Sequence, residues 1–227
     1  MVMAEFAGNG STVPGYLAVP EGKGPFPAVV VIQEWWGLND HIKDVADRVA
    51  AEGFVALAPD LYHGQVAEEP DEARKLAMEL DRPQAIKDIQ GAVNYLIARD
   101  DVTPKKAGVV GFCMGGGLSA MMAYQGKSVG AAVIYYGNVR NLSTDEVASQ
   151  VSIPLIGNFG EADQGIPVDT VEAAEAKLKE LGKTVDFYIY PGAPHAFFND
   201  DRPHIYHEEA AKHSWQRTLS WFRQHLR

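Results

Sequence analysis

The apolar residues of this chain fall into short runs, separated by polar stretches with helical spacing, so the pattern predicts strand and helix in turn. Residues 26–33, FPAVVVIQ, form a continuous apolar run bounded by turn residues, the mark of a strand buried on both faces. Residues 40–52 carry Ile42, Val45 and Val49 on one helical face, and residues 54–59, FVALAP, read as the next strand. Residues 15–19 predict a short first strand. A long polar helical zone over residues 68–100 is expected to break near Pro83, where the ring removes a backbone donor. Residues 107–117 pass from an apolar run into glycines, and a further strand is predicted over 130–136. Residues 151–163 read as a strand running into a loop, a helix opens at Asp169 and runs through Val171 to Leu181, and residues 185–195 form a last strand and loop. A C-terminal helix closes the chain, with His204 and His207 at its start. Alternation of this kind predicts an α/β fold: a mostly parallel sheet with helices on both faces, one domain over residues 1–227, no large lid, and a site at the carboxyl ends of the strands.

The segment AGVVGFCMGGG at residues 107–117 holds the only cysteine of the chain, Cys113, within G-x-C-x-G. A strand that turns abruptly into a helix strains its turn residue, which small neighbours tolerate; Gly111 and Gly115 stand two before and two after Cys113. The helix start then favours thiolate over thiol, and the N–H of Met114 can donate to a developing oxyanion. A lone cysteine is ordinarily a small buried apolar residue. Such a residue has no need of glycines on both sides, so the flanks favour a nucleophile.

A thiolate nucleophile works with a histidine base, and the base with a carboxylate that holds its tautomer. His195 stands on a loop just past the strand that begins at residue 185, broken by Pro191-Gly192 and Pro194. Asp163 stands at the end of the 151–163 segment, with Glu161 and Asp169 as rivals, since an Asp after a strand is often only a turn former. The order nucleophile, acid, base is that of α/β-hydrolases. In that arrangement the loop after the 26–33 strand supplies the second oxyanion N–H, here that of Trp35, and Trp35 and Trp36 offer an apolar wall. Glu34 precedes them, where a carboxylate could equally be a turn residue capping the next helix.

Composition narrows the partners. With 227 residues, 46 % of them hydrophobic, and a formal net charge of −10, the chain can bury a sizeable core and offers no basic surface for nucleic acid. An anionic substrate would need a local arginine. No eighteen-residue apolar stretch is present and the N-terminal segment lacks a leader pattern, so the expectation is a soluble, cytoplasmic protein without membrane partners, monomeric or homodimeric. One cysteine excludes an intramolecular disulfide and a Cys-rich zinc site.

Four segments together, Gln33-Glu34-Trp35-Trp36-Gly37, Ala58-Pro59-Asp60-Leu61-Tyr62, Gly111-Phe112-Cys113-Met114-Gly115-Gly116 and Pro194-His195-Ala196-Phe197, resemble the dienelactone hydrolase family. The resemblance implies a single α/β-hydrolase domain acting on lactones without metal or organic cofactor. It implies that Cys113, Asp163 and His195 form a triad, and that Glu34 interacts with the resting thiol and shifts when substrate arrives. The chain departs from the family where the bacterial enzymes place a carboxylate-binding arginine a few residues after the histidine. Here the run is His195-Ala196-Phe197-Phe198-Asn199, with Arg202 later; Arg74 lies near the region of a second family arginine. The expected substrate is therefore a small-molecule lactone or ester. A carboxylesterase or thioesterase for neutral acyl groups is the alternative, and a non-catalytic redox sensor using Cys113 is a third reading that an intact Asp163 and His195 disfavour. Of the other histidines, His204 and His207 are expected to be exposed rather than metal ligands, His63 could line the cleft, and His41, His213 and His225 are expected at the surface.

Overall fold

The continuous apolar runs become the centre of an eight-stranded sheet in a computed structural model that describes residues 2–8 and 10–227. In chain order the strands are β1 (Val2–Ala7), β2 (Thr12–Ala18), β3 (Phe26–Ile32), β4 (Val55–Pro59), β5 (Val102–Phe112), β6 (Val129–Tyr135), β7 (Leu155–Gly160) and β8 (Val185–Tyr190). They lie side by side as β1-β2-β4-β3-β5-β6-β7-β8. β1 and β2 are antiparallel and β2 meets β4 antiparallel, whereas β4, β3, β5, β6, β7 and β8 pair in parallel. The helices are α1 (Asp40–Ala51), α2 (Pro70–Glu79), α3 (Arg82–Ala98), α4 (Met114–Gln125), α5 (Asp145–Ala148), α6 (Val168–Glu180) and α7 (Glu208–His225).

Successive side chains of a strand point to opposite faces, and here each face has its own core. Val30 and Ile32 of β3 pack with Ile89 and Val93 of α3 and Leu118 of α4. Val29 and Val31 pack on the other side with Ile42, Val45 and Val49 of α1 and Phe222 of α7. A strand buried twice carries no polar alternation, which is why β3 reads as an unbroken apolar run.

β1 was not anticipated, and the segment expected at 15–19 is the second half of β2. The hairpin is at the sheet edge, with Val2 and Met3 more than half exposed, so burial wrote no strong pattern into it. The helical break expected near Pro83 falls just before it, at Leu80-Asp81. Pro83 occupies the first turn of α3, where a missing N–H costs nothing, and Asp81 caps that helix by accepting from Gln84 N at 3.1 Å. Only Leu155–Gly160 of the 151–163 segment is strand, and α6 starts at Val168, one residue before the expected Asp169. A short 3-10 turn (Arg140–Ser143) and α5 between β6 and β7 were also unforeseen.

Several histidine expectations need correction. His41 is buried, 2 % exposed, because its position on α1 faces Phe198 and Asp200 rather than solvent. His204 precedes α7 instead of opening it, while His207 is the helix cap, its Nδ1 accepting from Ala210 N at 3.3 Å. His213 is exposed and His225 half-buried. Among the described residues no group of three or more His, Cys, Asp or Glu could hold a metal ion, and no helix is long and apolar enough to cross a membrane.

The register positions the site. Ile32 pairs with Gly111, Phe112 with Tyr135, Tyr135 with Asn158, and Gly160 with Tyr190, so the loops after β3, β5, β6, β7 and β8 leave the sheet along one edge. From β3 the chain moves to β4 on one side and then to β5 on the other. That reversal opens a crevice between the loops after β3 and β5.

Candidate active site

Cys113 joins β5 to α4 with φ 55° and ψ −114°, a conformation that L-residues rarely adopt. The turn is held by Cys113 N donating to Tyr135 O at 3.0 Å and Gly117 N donating to Cys113 O at 3.2 Å. Its glycines are required by contact: a Cβ on Gly111 would strike the Gly115 carbonyl, and one on Gly115 the carbonyls of Ile32 and Gln33. The side chain of Cys113 is thereby presented at the start of α4, half-buried.

His195 and Asp163 come together from the loops after β8 and β7. His195 Nδ1 lies 2.6 Å from Asp163 Oδ2, while Asp163 Oδ1 accepts from Gly165 N at 2.8 Å and Ile166 N at 3.1 Å. The carboxylate is thus pinned on one oxygen and offers the other to the ring. Its rivals are placed elsewhere: Glu161 accepts from Gly192 N at 2.9 Å, and Asp169 is exposed on α6. Burial pulls the imidazole pKa of His195 down, but the hydrogen bond to Asp163 and the interaction with Cys113 outweigh it and push it up to about 10. The ring between Cys113 and Asp163 is therefore disposed to hold a proton.

Glu34 is 2 % exposed and accepts from two neutral donors, Tyr136 Oη at 3.3 Å and Asn199 Nδ2 at 2.9 Å. Asn199 stands four residues after His195, and its amide turns inward to this carboxylate. Tyr136, at φ 39°, packs its ring against His195 with centroids 5.1 Å apart. Its hydroxyl pKa is raised by burial first and by Glu34 second, so it stays a donor. Neither Tyr136 nor Asn199 was singled out from the sequence. Only the ends of β6 and the 195–199 turn, brought together in space, make them neighbours of Glu34.

The crevice has two compartments that meet at Trp35, Cys113 and His195. The larger, about 410 Å³, runs between α4 and the 140–143 turn and is walled by Leu118, Met121, Tyr124 and Ile166, with Arg82 and Arg140 on its lining. The smaller, about 220 Å³, is lined by Glu34, Trp36, Ile205 and Arg202, whose guanidinium lies 3.8 Å over the Trp36 ring. The N–H groups of Trp35 and Met114 enter no hydrogen bond among the described residues. His63 does not line this crevice; it lies in a separate hollow with Tyr62 and Asp88, 3.5 Å from the Asp88 carboxylate.

The arginines separate into two groups. Arg48, Arg74, Arg99, Arg217 and Arg223 each meet a carboxylate. Among the described residues Arg82, Arg140, Arg202 and Arg227 meet none; Arg227 donates to Arg223 O at 2.7 Å, and the other three line the crevice. Arg74, the position the sequence suggested, is on exposed α2 with Asp71. Arg74 and Arg99 pair with carboxylates close by in the chain, and Arg48, Arg217 and Arg223 with distant ones, whereas nothing local marks Arg82 and Arg140 as lining a crevice.

Known proteins resemble this chain along nearly its whole length. The sequence profile of the dienelactone hydrolase family matches residues 13–226. A Methylorubrum extorquens protein, provisionally named a carboxymethylenebutenolidase, is 36 % identical over 94 % of this chain and 77 % of its own length. Protein usf of Aquifex pyrophilus is 37 % identical over 99 % of this chain and 98 % of its own. A solved structure from Klebsiella pneumoniae, provisionally described as a dienelactone hydrolase, superposes with a TM-score of 0.88 at 33 % identity over 99 % of both chains.

Proposed function

The chain belongs to the dienelactone hydrolase family, enzymes of the ester- and lactone-hydrolysing type, and from that premise we propose that it opens a small lactone or carboxylic ester through a thioester on Cys113. The observation that carries this reading is the 2.6 Å contact of His195 Nδ1 with a pinned Asp163 carboxylate, beside a cysteine on a strained strand-to-helix turn. The Cys113 thiolate attacks the carbonyl carbon, and the N–H groups of Met114 and Trp35 receive the oxyanion. The imidazolium of His195 then gives its proton to the departing alkoxide, leaving a thioester and a neutral ring. Water, deprotonated by that ring, attacks the thioester; the thiolate leaves, the acid is released, and the thiolate–imidazolium pair is restored. Asp163 orients the ring throughout.

A protonated His195 is needed when the alkoxide departs, and its pKa is raised to about 10. The proton is therefore present below that value and is lost as pH rises through it. The expected kcat/KM profile holds across neutral pH and falls on an alkaline limb near 10; a limb near the ordinary histidine value instead would show that the ring is not held protonated.

The three crevice arginines favour a substrate bearing a carboxylate, while the apolar wall of the larger compartment favours the alternative, a neutral acyl ester. A panel of lactones and esters of matched size, with and without a carboxylate, separates them. With a carboxylated substrate, Arg82→Gln and Arg140→Gln are expected to raise KM about tenfold, as for loss of a charge-assisted hydrogen bond. Equal KM values in wild type and both variants for every carboxylated compound would leave the neutral ester as the substrate class.

A further inference from the structure

The segment Asp60-Leu61-Tyr62 takes no part in the chemistry above, yet the structure ties it at several points to the loop that carries Trp35. Leu61 N donates to Gln33 Oε1 at 3.1 Å, and Ala67 N donates to Trp36 O at 2.9 Å. Between these two clasps, Tyr62 Oη donates to Trp35 O at 3.1 Å, with Met114 Sδ 3.4 Å away. One hydroxyl carries one proton, and a carbonyl oxygen is the stronger acceptor, so the Trp35 carbonyl takes it and the sulfur makes the weaker contact. The turn beneath Tyr62 is itself rigid: Asp60 accepts from Tyr62 N at 3.1 Å and from Gly64 N at 2.6 Å. Gly37, at φ 96°, closes the other side, where any Cβ would strike the Gln65 carbonyl.

One phenol thus touches both walls of the proposed oxyanion site, the main chain of Trp35 from the loop after β3 and the side chain of Met114 at the start of α4. It is 5 % exposed. Burial first, and Cys113 second, raise its pKa, so the hydroxyl keeps its proton beside the nucleophile. We propose that Tyr62 is a positioning residue that locks the Trp35 main chain against Met114, holding the Trp35 and Met114 N–H groups convergent on the carbonyl oxygen of the substrate.

Preorganised donors lower a barrier only while they are held in place, since reorganising them at the moment of reaction forfeits the gain. The rest of the loop is held through Gln33, Glu34, Gly37 and Ala67, but the Trp35 carbonyl is tied down by the Tyr62 hydroxyl, and without that bond the Trp35–Trp36 peptide loses its direct link to the 60–62 segment. The inference rests on the thioester reading, and its test separates the two. Tyr62→Phe keeps the ring and its packing and deletes the one donor. With p-nitrophenyl acetate the variant is expected to lose about ten- to a hundredfold in kcat with KM within about twofold, the pattern of a group that acts only in the transition state. Affinity for an alkyl trifluoromethyl ketone, whose hemithioketal oxygen occupies the oxyanion position, is expected to fall by the same factor. Alkylation of Cys113 by iodoacetamide displaces iodide at carbon and builds no oxyanion, so its rate is expected to stay at the wild-type value.

Wild-type kcat in Tyr62→Phe overturns the proposal. So does an alkylation rate that falls together with kcat, because the hydroxyl would then act on the thiol. Absence of ester and lactone hydrolysis by the wild-type protein overturns the thioester reading, and this inference with it.

Discussion

Alkylation of Cys113 by one equivalent of iodoacetamide is expected to abolish hydrolysis, and Cys113→Ala to lower kcat by at least about four orders of magnitude, as for deletion of a nucleophile in a catalytic triad. Because this is the only thiol in the chain, the stoichiometry has one interpretation. The turn at φ 55° is as strained for alanine as for cysteine, so the variant is expected to melt within a few degrees of wild type, as a change well under about 1 kcal/mol requires. Full activity of the alkylated protein would remove Cys113 from the chemistry. The same assay reads Glu34, a carboxylate in the compartment that Cys113 also lines. Like charges repel, so Glu34→Gln is expected to speed alkylation of the free enzyme. An identical rate profile across pH would limit Glu34 to its bonds with Tyr136 and Asn199.

Asp163→Asn is expected to lower kcat by about three to four orders of magnitude with substrate binding nearly intact, since an amide holds the wrong imidazole tautomer and cannot stabilise the imidazolium. His195→Ala is expected to have an effect of similar size, and the two losses should not add, because both act on one proton relay. The alkaline limb should also move. Without the Asp163 hydrogen bond, burial lowers the His195 pKa with less opposition, so in Asp163→Asn the limb shifts toward neutral pH. Measured pH profiles of kcat/KM for wild type and variant check this. An unaltered kcat in Asp163→Asn, with a loss in Glu161→Gln, would transfer the role to Glu161 against the 2.6 Å contact.

The elements most legible in the sequence are those under the strongest local constraint. β3 and β4 are buried on both faces and so are apolar at nearly every position, and Gly111 before Cys113 is fixed by the backbone of Gly115 only four residues on. The edge hairpin is only half legible, because in the six residues of β1 just Ala4 and Phe6 are buried while the apolar Val2 and Met3 face outward, which blurs the alternation. The burial of His41 is illegible for the complementary reason. Its neighbours Phe198 and Asp200 are distant in sequence, and nothing near position 41 announces them.

By itself the sequence determined the alternating architecture, the strained cysteine turn, and the chain order of Cys113, Asp163 and His195, since each depends on local backbone sterics or on periodic burial. Only the tertiary structure decided which carboxylate meets His195, that Asn199 and Tyr136 hold Glu34, that Tyr62 clasps Trp35, and that Arg82, Arg140 and Arg202 remain unpaired at the crevice. Those are pairings between side chains on loops that leave different strands. Their distances are set by strand order and register, which arise from packing the whole sheet and leave no trace in the neighbouring residues.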